Sequence, residues 1–327
     1  MQQNIPRKEQ TMKEACRRLT EAIDAYIAKA DEDLKDALSA AGFVDPEGTL
    51  ETAESLEDAI AQELEKDTKR ITAAVSKAPS VASFAMNDWK NVQDDQKLRK
   101  ALEVIIRDVY NDNTMKLATL YIQEVAEDMT VTDLSKHTTN WISRWSKELA
   151  DLMKLEDNKQ IDKILSKALT DGSSVDDCAK AIMEAGIRNP EYRARRAALT
   201  EMLRAHNVAH QEEMLQNPCV VSKRWRHSGG YRIEPRQNHV DMDMQVVAKK
   251  DPFIMIGKDG FIYYPQYPTD PTLPPGESIN CHCIAEDIVD PDILGMSLEE
   301  REKLQQEAIE QINLDEEIAS YGISWME

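Results

Sequence analysis

The apolar pattern of this chain breaks at Pro218, and that break limits the fold more than any other feature. Before it, apolar residues recur at helical spacing. After it, prolines and glycines become frequent and the apolar runs shrink to strand length. Such a chain is expected to be α+β. The N-terminal region should be mainly helical, with long helices and a hairpin. A small, loop-rich α+β unit with antiparallel strands should follow. At 327 residues, one to three domains are expected. The divisions expected are an acidic helical region over 1–160, the α+β unit over 161–290, and a C-terminal helix with an acidic tail over 291–327.

Residues 7–40 predict one helix, because Leu19, Ile23, Tyr26, Ile27, Ala30, Leu34, Ala37 and Leu38 form one stripe. Gly42 should stop it, and Pro46-Glu47-Gly48 reads as a turn. Ser55 is the expected cap of a second helix running to 77. Residues 79–92 read as a connector. A third helix is expected over 94–126, with Asn111-Asp112-Asn113 as a place for a kink. Thr132-Asp133 should cap a short piece bearing Trp141 and Trp145 on one face, both read as core anchors. Further helices are expected over 158–170, 175–185 and 191–216. Short strands are expected over 220–225, 245–248, 253–256, 261–264 and 283–288, with Gly257-Lys258-Asp259-Gly260 as a hairpin turn. Ser297 to Glu300 forms a capping box for a last helix reaching about Ile312.

The formal net charge of −20 argues against wholesale coating of nucleic acid, which needs clustered Lys and Arg. The charge is uneven. Residues 188–236 hold ten Lys/Arg against five Asp/Glu, a balance of +5 that leaves −25 for the rest. That basic segment is a candidate face for an acidic partner or for DNA; the plainer reading is a solvated surface. The five cysteines, the polar opening residues and the lack of any run of 18 apolar residues predict a reducing compartment. They predict no disulfide framework and no membrane partner.

The C-terminal unit carries an ordered series of landmarks. A helix bears Thr200-Glu201, Arg204 and Asn207, and a strand bears Lys223-Arg224-Trp225. Arg236, His239 and Asp243 follow, then Asp251-Pro252-Phe253. Tyr264-Pro265, Asp270-Pro271 and Glu277 come next, and the run Ile279-Asn280-Cys281-His282-Cys283 closes the series. In order and content this resembles the phage Mu F-like head-morphogenesis family, over about 125 residues. The resemblance implies a non-enzymatic minor head (capsid) protein, present in few copies and acting in head morphogenesis at the portal vertex. It implies a part in DNA packaging or delivery. The implied partners are the portal protein and other phage head proteins; the charge of residues 188–236 adds viral DNA as a candidate. The implied location is the virion, assembled in the host bacterial cytoplasm.

The cysteines suggest chemistry of their own. In an extended segment Cys281 and Cys283 face one side and His282 the other. Two thiolates on one face can bind Zn²⁺, which takes about four N or S ligands. His239 is the best third ligand, with Cys219, His227 or Asp241 as the fourth. The plainer reading makes the cysteines small buried residues and His239 a hydrogen-bonded loop residue. A rival is a metal-dependent hydrolase or nuclease using His239, Asp241, Asp243, Cys281 and Cys283. No phosphate-binding loop, Gly-x-Ser-x-Gly, His-Glu-x-x-His or deaminase signature supports it. Glu201, Arg204, Asn207 and His210 are either a polar network fixing the helix to the sheet or a docking surface, and Trp225 and Arg236 are further structural or docking candidates. His206 and His137 read as ordinary helix residues.

Overall fold

The computed structural model describes residues 32–188, 190–229 and 235–320. The stretch 7–31 of the expected first helix, Cys16 and the tail beyond Ser320 lie outside the described residues. The first described helix, α1 (32–41), ends at Gly42, whose φ of 93° only glycine adopts without strain. Helix α2 (Pro46–Ser76) begins earlier than the sequence suggests. Pro46 occupies the first turn, where its missing N–H costs nothing. The Asp45 carboxylate accepts the Gly48 N–H at 3.2 Å. The expected turn is thus the first turn of the helix, and Ser55 lies inside it, bonded to the Glu51 carbonyl at 3.0 Å.

The expected connector is itself largely helical. Short pieces over Val81–Ser83 and Trp89–Asp94 flank a π-turn at Phe84–Asp88. Phe84 and Trp89 are buried there, and the Trp89 indole donates to Asp162 at 2.6 Å. Burial of two large aromatics organises a stretch whose Pro and Ser content reads as loop. Helix α3 (Lys97–Val125) continues through Asn111-Asp112-Asn113. Tyr110 and Thr114 are buried on either side, and Asn113 bonds back to the Val109 carbonyl. Tertiary packing overrides weak local propensity here.

Helix α4 (Lys136–Asp171) merges two expected pieces into one rod, and residue 160 falls inside it. Ser135 caps it, and Gly172 ends it in the left-handed conformation. Helices α5 (Val175–Arg188) and α6 (Pro190–Gln216) follow.

Strand β1 (Val220–Arg226) is the centre of a three-stranded antiparallel sheet. A short helix, α7 (Gln237–Asp241), separates it from β2 (Val246–Ala248). The Gly257–Gly260 turn joins β3 (Met255–Ile256) to β4 (Ile262–Tyr263) in a separate hairpin. The other edge of the larger sheet is β5 (Ile284–Val289). Lys223 sits opposite Val247 on one side and Asp287 on the other. Helix α8 (Leu298–Ser320) opens with the expected Ser297–Glu300 box.

The core is continuous across the change of pattern. One buried cluster joins Leu38 and Phe43 to Leu117 and Ile122 of α3, Leu203 of α6, and Ile284 of β5. A second packs Leu56, Leu102, Ile106 and Trp145 against Ala198 and Ala205 of α6. A third, remote from the sheet, holds Ile71, Phe84, Ile161 and Ile182. Helix α6 is therefore the shared wall between the helical layer and the sheet. From Thr200 to Asn217 nearly every residue is buried, the polar ones included.

Candidate functional site

Three loops converge below the sheet. The chain leaving β1 carries His227, α7 carries His239, and the segment entering β5 carries Cys281 and Cys283. The His239 Nδ1 stands 3.5 Å from the Cys281 sulfur and 3.7 Å from the Cys283 sulfur. All three residues are buried. The His227 Nδ1 reaches the Cys283 sulfur at 3.6 Å from a half-buried position. Of the three candidates for a fourth ligand, only His227 lies here. Cys219 belongs to the cluster between α3, α6 and β5. Asp241 is exposed and accepts from Gln237 at 2.8 Å. Asp243 accepts the His227 backbone N–H at 2.9 Å, so it positions that loop. The described cysteines, Cys178, Cys219, Cys281 and Cys283, are thiols without disulfide partners.

The surrounding groups fix the geometry. The outer nitrogen of His239, Nε2, faces the Glu277 carboxylate at 3.1 Å. Glu277 is buried, and its second oxygen accepts the Lys258 N–H at 2.9 Å. Burial alone would raise this carboxyl. The Lys258 N–H, Asn238 and His239 outweigh burial and hold it below its ordinary value. Glu277 and the two sulfurs thus face opposite nitrogens of the His239 ring. Arg236 donates to the Glu277 and Ile279 carbonyls, tying down the loop before Cys281. Asn280 takes a left-handed conformation, φ 53°, one residue before it. Trp225 packs edge-on to His239 and Phe253, with centroids 6.0 and 5.2 Å apart. The two thiols are unequal. A hydrogen bond from Cys283 and the nearby His239 push Cys281 well down, and Cys283 is pushed up in turn.

The profile of the phage Mu protein F like family matches residues 159–286, which include every residue of this cluster. An uncharacterized Bacillus subtilis (strain 168) protein, YqbB, is 31% identical over 306 residues, covering 89% of this chain and 97% of its own length. The chain belongs to the phage Mu protein F-like family. No solved structure matches it.

The Mu F-like unit buries many polar residues, above all along α6. Glu201 and Arg204 are 4% and 3% exposed, so neither presents a docking surface. They pair with each other, and Glu201 accepts from the Tyr110 hydroxyl and the Trp145 indole, both at 2.8 Å. Arg204 lies 4.6 Å over the Trp145 ring and donates to the Thr269 carbonyl at 2.9 Å. Asn207 bonds the Leu203 carbonyl and the Thr269 hydroxyl. Trp225 is fully buried. Of the expected docking residues, Arg236 alone is partly accessible.

The Mu F-like helix α6 also holds residues that sequence reasoning passed over. His206 is no ordinary helix residue: it bridges Thr49 at 2.6 Å and Tyr121 at 3.0 Å. Burial, only partly offset by Asp45, pushes its pKa down to about 3, so the ring is neutral. Glu212 accepts from Ser135 and Thr138 at the start of α4. Lys223 is buried among Gln211 and Gln266, and burial lowers its pKa to about 8. Histidine in a charged helix carries no sign of burial in the sequence. Glu277 carried one, its place just before Cys281 in the landmark series. His137, by contrast, is exposed and faces Glu316 at 2.9 Å.

Proposed function

We propose that this protein is a minor head protein acting in phage head morphogenesis. It would dock at the portal vertex, in the virion, with no catalytic task. The observation that carries the reading is membership of the Mu F-like family together with a match over nearly the whole of YqbB. The internal use of polar groups agrees with an assembly role. An enzyme keeps reactive side chains open to substrate, whereas here Glu201, Arg204, His206, Lys223, His239 and Glu277 all have buried protein partners. The hydrolase reading loses support for the same reason. Asp241 and Asp243 do not enter the cysteine cluster, and Asp243 is committed to a backbone N–H.

The partners proposed are the portal protein and other head proteins. Viral DNA is a weaker partner. Arg204 and Lys223, two of the ten cations in 188–236, are interior, and Arg224 and Arg226 both approach Glu286. No helix among the described residues is long and apolar enough to cross a membrane.

The test is mass spectrometry on procapsids and virions purified from infected cells. The protein is expected at a few copies per particle and should co-purify with portal. Its absence from both particles would overturn the reading.

A further inference from the structure

We propose that Cys281, Cys283, His239 and His227 bind one Zn²⁺ in a closed, structural site. This inference holds whichever head protein the chain docks on. The distances carry it. Zinc–sulfur and zinc–nitrogen bonds of about 2.3 and 2.0–2.1 Å at tetrahedral angles place S and N about 3.6 Å apart. The observed separations are 3.5, 3.7 and 3.6 Å. His239 Nδ1 and the two sulfurs lie within 4.8 Å of one another, as three ligands of one ion would, and His227 reaches the group at Cys283, from where its ring would swing in as the fourth.

The arrangement behind the ligands agrees. A metal-bound imidazole ordinarily donates its other N–H to a carboxylate, which fixes tautomer and ring orientation. Glu277 sits at that position on His239, buried and 3.1 Å away. The donor set of two sulfurs and two imidazoles selects a soft, tetrahedral ion over Mg²⁺ or Ca²⁺. Four protein ligands leave no open position for substrate, so the site holds structure rather than performing hydrolysis.

The fold has a use for such an ion. The apolar cluster here contains Trp225, Met242, Phe253, Met255 and Leu273, completed by the two cysteines themselves. The strands β3 and β4 contribute two residues each. A unit with so little apolar core gains from a cross-link among the end of β1, α7 and the start of β5. The other His-carboxylate group, His210 with Glu213 and Asp287, lacks this character. His210 pairs with Asp287 at 3.0 Å, Glu213 accepts from Asn217, and the group offers no sulfur.

The full-length chain is to be purified without a metal-affinity tag and analysed by elemental mass spectrometry. About one zinc per chain is expected. Cys219→Ser and Asp241→Asn should keep it, and Cys281→Ser with Cys283→Ser should lose it. His227→Gln should release zinc to a chromogenic chelator at least about tenfold faster than wild type. Because the double cysteine variant risks misfolding, wild-type protein is also stripped by chelation and reloaded with Co²⁺ alone. Sulfur-to-cobalt charge transfer and intense tetrahedral d–d absorption are expected, with a fall of at least about 5 °C in melting temperature on stripping. Wild-type protein that takes up neither Zn²⁺ nor Co²⁺ would sink the proposal. So would undiminished zinc in the double cysteine variant, and unchanged zinc release from His227→Gln would remove His227 from the ligand set.

Discussion

Around α6 and around β1 the chain buries polar atoms in different ways. On α6, Glu201 collects donors from Arg204, Tyr110 and Trp145, and Glu212 collects donors from Ser135, Thr138 and Gln216. Protein groups alone complete these sets. Below β1, His239 Nδ1 meets the two thiols at 3.5 and 3.7 Å, and the Glu277 carboxylate serves the far side of the ring. The first interior is closed by long-range contacts from α2, α3 and α4. The second is assembled from loops and two-residue strands. Buried polarity is affordable where neighbouring helices are long enough to supply partners. A small sheet has too few partners of its own.

The largest effect expected is on the α6 side. Arg204→Ala leaves the Glu201 carboxylate buried with its counter-ion gone, which costs about 3–5 kcal/mol. The check is the urea midpoint with and without a metal chelator. The loss should be the same in both, because no sulfur or imidazole of the β1 cluster contacts this pair. A loss that grows with chelation would join the two interiors and break the comparison.

The next effect is a pH dependence. His206 has a pKa of about 3 folded against an ordinary 6.5. Between those values the unfolded chain binds a proton that the folded chain does not, so stability falls as pH drops from 6.5 towards 3. The shift bounds the contribution at about 5 kcal/mol. Glu213 works the other way, since burial raises its carboxyl and protonation favours the fold. The readout is therefore the difference in slope between wild type and His206→Gln, which keeps polar atoms near Thr49 and Tyr121. A variant with the wild-type slope would remove His206 from the acid response.

The two regions were not equally legible. The five strands, the Gly257–Gly260 hairpin, the Gly42 stop and the Ser297 box follow from local signals and stand within a few residues of expectation. Helix starts were harder. Pro46 reads as a turn, yet it opens α2 because Asp45 can adopt a left-handed conformation and cap it. The run Asn111 to Asn113 suggests a break, yet α3 continues through it with Tyr110 and Thr114 buried on either side. Least legible was the burial of α6. Its charged residues repeat with no apolar face, and only the helices packed around it show that Glu201, His206 and Glu212 point inward. At the cysteine cluster, Cys281, Cys283 and His239 were readable from the motif order. The choice of His227 over Cys219 or Asp241 was not, because it depends on where β1 ends.

A smaller effect tests the C-terminal helix, which reaches the α6 interior through Gln305 on Gln216. Ser297 accepts the Glu300 N–H at 3.3 Å, and Glu300 accepts the Ser297 hydroxyl at 2.7 Å. Ser297→Ala should cost about 1 kcal/mol of stability, the usual value for a lost N-cap. Helix α8 is pinned nearby by Arg301 on Asp128 and by Gln305 on Thr130, so hydrogen exchange should rise in its first turn alone. Exchange spreading to α3 would show that the cap supports more than its own helix.

The smallest effect expected is at Arg224, on the sheet surface opposite Glu286. The pair stands at 3.1 Å, with the arginine 31% and the glutamate 46% exposed. Water and salt screen such a pair, and holding two long side chains costs entropy, so Arg224→Ala should change stability by about 0.5 kcal/mol or less. Arg224 and Lys223 are neighbours on β1, yet alternation along the strand sends one outward and the other into the core. Lys223→Ala should therefore cost several times more than Arg224→Ala, since Gln211 and Gln266 would lose a buried partner. Denaturation of the two variants side by side measures that ratio. Equal losses would mean that β1 is not seated in the register that places Lys223 against α6, and the contrast between the surface and the interior of the sheet unit would fall with it.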